Sequence, residues 1–309
     1  MQTLPETHPP FGVIQLTTTD ARSAAPRARN SNLLLVAVLL ILDSLHFVFA
    51  RTLLPHIEPG TSVMLVLAVS TVEVGIFGLA TRRLDWRPAR RHFWFFLAIG
   101  ALIAISTATN YEAVAFIDPG TASLLNQTSV LFSLGFGLIW LKDRLNPAQI
   151  VGACLALIGV VVITFQPGDY LRLGSLMVIG ASLLYALHAA LTKRYAGDID
   201  MVSFFFFRLL FTTAVLVAVG ALRGVLVWPT ARVWPLIILV GTVDVVLSRT
   251  LYYIALRRLT MSMHTLILTL TPIASIIWAL LLFGTRPTVQ QMLGGVAVIA
   301  GVAIVSLKR

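Results

Sequence analysis

The sequence predicts an all-α membrane protein of ten transmembrane helices, built as two inverted five-helix repeats. Three observations predict this fold: the composition, a series of long apolar runs, and a likeness between the two halves of the chain. Of the 309 residues, 58% are hydrophobic and only 12% are charged, and the mean hydropathy is +0.90. A soluble domain of this length does not carry so apolar a surface, so the chain is expected in a bilayer.

Ten apolar runs have roughly the 18 to 23 residues with which a helix crosses about 30 Å of hydrocarbon. They lie near 33–52, 62–81, 93–111, 120–141, 148–166, 174–192, 201–221, 233–255, 261–283 and 289–307. An even number of spans places both termini on the same side of the membrane.

The two halves are related by a constant offset. The stretch from Tyr111 to Phe165 aligns without a gap on Tyr253 to Leu307, 142 positions later. The aligned identities are Tyr111 with Tyr253, Ser133 with Ser275, Arg144 with Arg286, Gln149 with Gln291, Gly152 with Gly294, and Gly159 with Gly301. Such an offset indicates a duplicated unit. We expect one repeat at 31–166, a second at 173–307, and a disordered cytoplasmic tail at 1–30.

Helix starts also follow the offset. Asp118 precedes a proline and Thr260 stands at the aligned position, and each is a residue type that caps helices. Asn146–Gln149 and Thr288–Gln291 both have capping-box spacing.

The fifth and tenth runs are apolar throughout and carry glycines seven residues apart, at 152 and 159 and at 294 and 301. Small residues at this spacing allow helices to approach closely. The pattern leaves two uses open, packing between the halves or formation of a homodimer.

Positive charge predicts the orientation. Of the 23 Lys and Arg residues, 16 fall on one side of the predicted spans and five on the other, with Arg208 and Arg249 inside spans. Cytoplasmic loops hold the excess of Lys and Arg, so both termini are expected in the cytoplasm and the protein in the inner (plasma) membrane. This bias also explains the net charge of +10, and no nucleic-acid partner is predicted. Because five is odd, the second repeat is inverted.

Ionisable side chains inside the apolar runs are the first candidates for a substrate site. Near the middle of a span such a group costs roughly 2.5 to 3.5 kcal/mol, so it is expected to face a partner or a hydrated cavity. The candidates are Asp43, His46, Glu73, His188, Arg208, Asp244, Arg249 and His264, of which Arg208 and His264 are not assigned to the site.

Spacing refines these candidates. Asp43 and His46 are three apart and share a helical face, where a carboxylate beside an imidazole suits proton exchange. Asp244 and Arg249 are five apart and share a face poorly, so each is expected to meet another helix. For Arg208 two interpretations stay open, a buried countercharge to Asp244 or a side chain that reaches the membrane interface.

Uncharged polar residues add to the site. Asn126 and Gln127 begin a polar run in the fourth span, and Thr269 and Pro272 lie in the aligned part of the ninth. Proline frees a carbonyl, which is tolerated against protein or a wet cavity. Tyr111, Tyr185 and Tyr252 are the aromatic candidates. We expect these groups to line a central cavity between helices one, three, four, six, eight and nine.

Soluble-enzyme signatures are absent from the sequence: it contains no HExxH, GxSxG, P-loop or GxGxxG motif. Its single cysteine, Cys154, excludes an intramolecular disulfide and a cysteine metal cluster. No catalytic residue, metal or cofactor is therefore predicted. An intramembrane lipid-modifying enzyme and a non-transporting channel or scaffold remain the alternatives.

Several motifs together resemble the drug/metabolite transporter superfamily, in particular its EamA-domain family. They are Tyr111-Glu-Ala-Val-Ala before a polar-starting helix, Leu141-Lys-Asp-Arg-Leu145, and the helix with Gly152 and Gly159. The resemblance covers about residues 31–307. It implies an exporter of amino acids or related small metabolites that works by alternating access without bound nucleotide. The implied partners are that small-molecule substrate and membrane lipid.

Overall fold

The computed structural model describes residues 34–140, 146–164, 173–196, 199–224, 227–258 and 261–307, apart from the side chains of 253, 256–258, 261–269, 306 and 307. Within these ranges all regular secondary structure is helical, which confirms the predicted all-α class. The predicted tail at 1–30 lies outside the described residues, as do 141–145 and 165–172.

Ten helical segments, α1 to α10, follow one another close to the predicted runs. They are Leu34–Leu53, Pro59–Ala80, Phe93–Ala113, Pro119–Ile139, Pro147–Thr164, Leu173–Tyr195, Met201–Arg223, 234–258, Met261–Phe283 and Val289–Leu307. A short helix, Arg87–Arg91, precedes α3. Among the described residues, α1 to α8 contain stretches long and apolar enough to cross a membrane, and Leu270–Phe283 and Val289–Val305 are shorter apolar helices. The chain is thus a multi-pass membrane protein.

Side chains cap the helices at equivalent places in the two halves. Glu58 and Asp200, 142 positions apart, accept backbone amide hydrogen bonds at the starts of α2 and α7, the shortest at 2.8 and 2.9 Å. Asp118 caps α4 in the same way, and both predicted capping boxes form, at Asn146–Gln149 and Thr288–Gln291. These caps satisfy orphan amides at the ends of the helices. Thr260 lies outside the described residues.

The glycines of α5 and α10 pack against each other within one chain. A Cβ on Gly152 would lie 2.7 Å from the carbonyl oxygen of Gly301, and a Cβ on Gly159 would lie 2.6 Å from that of Gly294. The later glycine of α5 thus contacts the earlier glycine of α10, so the two helices are antiparallel. Of the two uses that the sequence left open, the glycines serve packing between the halves.

Helices α2 and α7 form a second contact between equivalent positions. The hydroxyl oxygens of Thr71 and Thr213 are 3.0 Å apart, and these residues differ by the repeat offset of 142. A contact between repeat equivalents is expected where a twofold axis would relate two inverted units.

The outer and inner surfaces differ as expected for a protein in lipid. Large apolar side chains such as Ile139 and Leu281 are 82% and 69% exposed on the outside. Hydroxyl groups such as those of Ser70 and Ser182 are fully buried and bond to carbonyls. With no water in hydrocarbon, polar groups must find partners inside the protein.

The glycine contact between α5 and α10 predicts the effect of a single methyl group. Gly301→Ala would place a Cβ 2.5 Å from backbone atoms of α5, and such overpacking costs about 1–3 kcal/mol. We expect a lower thermal unfolding midpoint in detergent.

A matched control is Gly180→Ala in α6, where a Cβ meets no atom within 4 Å. This change is expected to leave the midpoint equal or higher, since replacing a helical glycine that has space stabilises by about 0.4–1 kcal/mol. Equal midpoints for the two variants would show that the α5–α10 contact is not close.

Candidate functional site

A cavity of about 210 Å³ lies where the helices of the two halves meet. Helices α1 to α4 and α6 to α9 all contribute to its lining, so α2 and α7 join the six helices that the sequence predicted. Nine of the thirteen sequence-predicted site residues line it: Asp43, His46, Tyr111, Asn126, Gln127, Tyr185, Asp244, Arg249 and Tyr252.

His46 and Asp244 form the tightest charged contact in the cavity. His46 Nδ1 lies 2.9 Å from Asp244 Oδ2; because a carboxylate only accepts hydrogen bonds, Nδ1 is the donor. Asp244 is only 3% exposed, and its other oxygen, Oδ1, has no hydrogen-bond partner among the described residues. The ring of Tyr111 packs edge-on against the imidazole, with centroids 5.9 Å apart.

Asp43 and Arg249 form a second pair across the same two helices, with Arg249 Nη1 donating to Asp43 Oδ1 at 3.4 Å. The hydroxyl of Thr271 donates to the other Asp43 oxygen, also at 3.4 Å. The expected pairing of Asp43 with His46 therefore gives way to two contacts between α1 and α8. Asp43 and His46 thus each meet a group of opposite charge type on the antiparallel helix α8.

A π-helical turn at Gly241–Leu247 explains how α8 supplies both groups. A wider turn brings residues five apart onto one face, so Asp244 and Arg249 both reach α1, contrary to the expectation that they share a face poorly. Single π turns are commonly found at functional sites.

The register of α8 shows why the turn is there. A Cβ on Gly241 would lie 3.2 Å from Ser70 Oγ, and a Cβ on Gly100 would lie 3.0 Å from the backbone nitrogen of Thr212. Ser70 and Thr212 are repeat equivalents, 142 apart, so Gly100 and Gly241 are equivalent although they are 141 apart. Between Gly241 and Tyr253, α8 therefore holds one residue more than α3 holds between Gly100 and Tyr111. The π turn accommodates that residue.

Other breaks in helix regularity surround the cavity. Helix α1 is interrupted at Leu45 and α4 at Gln127, and α9 contains Pro272. The carbonyl of Ser44, at the break in α1, accepts a hydrogen bond of 2.7 Å from Ser275 on α9. Irregular backbone at membrane depth is tolerated where protein or a hydrated cavity satisfies it, which fits these positions.

The polar run of α4 faces the second half of the chain. Asn126 lines the cavity and its side-chain oxygen accepts from Ser182 of α6 at 3.3 Å. Tyr185, one turn further along α6, also lines the cavity and packs 5.4 Å from the ring of His188.

Three sequence-predicted site residues lie outside the cavity lining. Glu73 accepts a hydrogen bond from Thr242 at 2.7 Å, His188 is buried behind Tyr185, and Pro272 is buried within α9. The side chain of Thr269 lies outside the described residues.

Sequence reasoning did not select several polar residues of the lining. Ser106, Thr107 and Asn110 follow the spacing i, i+1 and i+4 in the apolar helix α3, a pattern that marks one polar face and that would have identified them. The sequence left Arg208 out of the predicted site, as a countercharge or an interfacial residue, yet it lines the cavity, and it forms no ion pair with Asp244 within 4.0 Å. Among the described residues, no cluster of three His, Cys, Asp or Glu residues forms a metal site.

Known proteins match both the sequence and the fold. An uncharacterized transporter of Bacillus subtilis, YdfC, is 28% identical over 199 residues, which are 62% of this chain and 64% of that protein, just under two thirds of its length. An uncharacterized transporter of Synechocystis is 24% identical over 237 residues, 70% of this chain and 68% of that protein. Another, of Clostridium kluyveri, is 22% identical over 256 residues, 78% of each chain.

A solved crystal structure covers 90% of this chain and 97% of its own, with a TM-score of 0.62 and 19% identity, and so shares the fold. The family model described as the EamA-like transporter family matches residues 30–165 and again 172–307. These two matches cover almost all of the chain and confirm the resemblance seen in its motifs. The protein belongs to the EamA-like transporter family.

Proposed function

We propose that this membrane transporter exports amino acids or related small metabolites across the cytoplasmic membrane by alternating access. The observation that carries the proposal is one cavity, lined from both halves, that holds two contacts between opposite charge types. A site shared by two units opens to either side when one unit rocks against the other. The antiparallel pair α5 and α10 would join the units during this motion.

The proposal includes ten spans in two inverted repeats, at 31–166 and 173–307, with α9 and α10 crossing like the others. Three findings support it: the antiparallel glycine contact, the Thr71–Thr213 contact and the double family match. Both termini would be cytoplasmic, as the distribution of Lys and Arg indicates.

The chemistry of the cavity suits a zwitterion. Asp43 and Asp244 are acceptors for a substrate ammonium group, and Oδ1 of Asp244 lacks a protein partner among the described residues. An ammonium group that binds Asp244 competes with His46 for the same carboxylate. Once the ammonium group displaces it from Asp244, the imidazole of His46 can exchange its proton with the cavity, which would couple transport to protons.

Counterflow in proteoliposomes tests the transport proposal. Vesicles loaded with unlabelled amino acids are expected to accelerate uptake of the same labelled compound, because a carrier exchanges faster than it returns empty. The double variant Asp43→Asn/His46→Ala removes one member of each pair, so exchange is expected to fall about tenfold or more.

Glu73→Gln is the control, since Glu73 lies outside the cavity and glutamine still offers Thr242 an acceptor oxygen. It should exchange like wild type. Wild-type rates in the double variant would contradict the site assignment, and uptake without acceleration by internal substrate would indicate a channel.

Cysteine accessibility tests the topology. The single cysteine makes Cys154→Ser a cysteine-free background, into which Arg286→Cys and Arg309→Cys are introduced separately. A membrane-impermeant maleimide is expected to label position 286 in intact cells and position 309 only in inside-out vesicles. Labelling of both positions from one side would contradict an inverted second repeat whose last helix crosses the membrane.

A further inference from the structure

Arg208 differs from the other charged groups of the cavity. It lies on α7, is 8% exposed, and contributes to the cavity lining. No described carboxylate lies within 4.0 Å of it, and its Nε has no hydrogen-bond partner among the described residues. Its guanidinium carbon lies 5.3 Å from the centre of the Phe205 ring, which supports the cation from one face.

A guanidinium keeps its charge in any protein environment, so burial without an anion is costly. Arg249 shows the usual solution in the same cavity, a carboxylate partner at 3.4 Å. Arg208 has the burial without the partner. Buried charged side chains in membrane proteins pair with an opposite charge or face a cavity. Arg208 faces the cavity.

The ion pairs of the cavity do not include Arg208. Arg249 contacts Asp43, and His46 contacts Asp244. Arg208 therefore has no local countercharge among the described residues. A single negative charge on a bound molecule would neutralise it, which favours a carboxylate over a phosphate, whose charge near neutral pH is about −1.5 to −2.

Asn110 on α3 is a second polar side chain with unused capacity. It is 6% exposed, lines the same cavity, and its side-chain oxygen has no hydrogen-bond partner among the described residues. By contrast, nearby hydroxyls are occupied: Ser106 donates to the Ala181 carbonyl and Thr212 to that of Arg208, at 2.8 and 2.7 Å. The α3 and α7 wall thus holds one buried donor, Arg208 Nε, and one buried acceptor, Asn110 Oδ1, that have no partner among the described residues.

We propose that Arg208 is the recognition residue for a carboxylate of the transported molecule, with the Asn110 side-chain oxygen as an acceptor for a donor group of the same molecule. This inference rests on the proposed transport of amino acids and deepens it. The acidic side chains of α1 and α8 receive the ammonium end, and Arg208 receives the carboxylate end. The planar guanidinium suits this because it can bind both carboxylate oxygens at once.

The test compares matched compounds on purified protein in detergent. The probes are the 20 standard amino acids and the corresponding amino-acid amides, which keep the ammonium and lose the negative charge. At least one amino acid is expected to raise the thermal midpoint of wild type while its amide does not. Arg208→Met is expected to weaken binding of that amino acid about 10- to 100-fold, the scale of a hydrogen bond to a charged group. Arg208→Lys should retain part of it.

Ligand-free stability separates recognition from a structural role. If Arg208 serves a ligand, Arg208→Met removes an unpaired buried charge and the ligand-free midpoint stays equal or rises. A structural countercharge would instead lower it. Arg223→Gln is the matched control, because Arg223 ends the same helix, is exposed, and carries the same charge. This variant should bind like wild type.

Three results overturn the assignment: amides that bind wild type as well as the acids, unchanged acid binding by Arg208→Met, or a lowered ligand-free midpoint in that variant. Counterflow of amides without the acids would remove the role of Arg208 and leave the proposed transporter intact. Neither binding nor exchange of any probe by wild type would count against both.

Discussion

The exclusion of water from hydrocarbon governs this structure. Inside a bilayer each backbone carbonyl, hydroxyl and charge must find its partner within the protein. The helices therefore turn their apolar faces outward, and their ionisable groups converge where the halves meet. The contacts His46–Asp244 and Asp43–Arg249 follow from this constraint, and so do the hydroxyl bonds that satisfy carbonyls beside the helix breaks.

Helices at the contact between the halves differ in regularity from several helices that line the cavity. Helices α5 and α10 are regular, and their glycines at 152, 159, 294 and 301 bring the two backbones into close contact. Helices α1, α4, α8 and α9 border the cavity and carry an interruption, a π turn or a proline. Regular helices give a fixed contact between the halves, whereas irregular ones expose backbone groups and cost less to bend. The rigid contact and the more easily bent helices are therefore separate elements of the fold.

Much of the fold could be predicted because its signals are local. Apolar length marked the helices, and caps such as Asn146–Gln149 follow from side chains within one turn. The pairing in the cavity could not be predicted the same way. Asp43 lies three residues from His46 in sequence, yet each bonds to α8, because contacts between helices depend on register across 200 residues of chain. Arg208 was undervalued for a similar reason: the lack of a partner is visible only when all its neighbours are in place.

The single extra residue in α8 has a consequence for energetics. In the proposed mechanism, a carrier made of two identical inverted halves would have inward-open and outward-open forms that are related by a twofold rotation and equal in free energy. The inserted residue brings Asp244 into the cavity from one half alone, while the continuous helix α3 supplies serine, threonine and asparagine from the other. In the proposed mechanism this difference would make the two forms unequal in free energy. The resting conformation of the proposed carrier, and with it the apparent substrate affinity on each face of the membrane, would then depend on this one insertion, whereas the gradients set the direction of net movement.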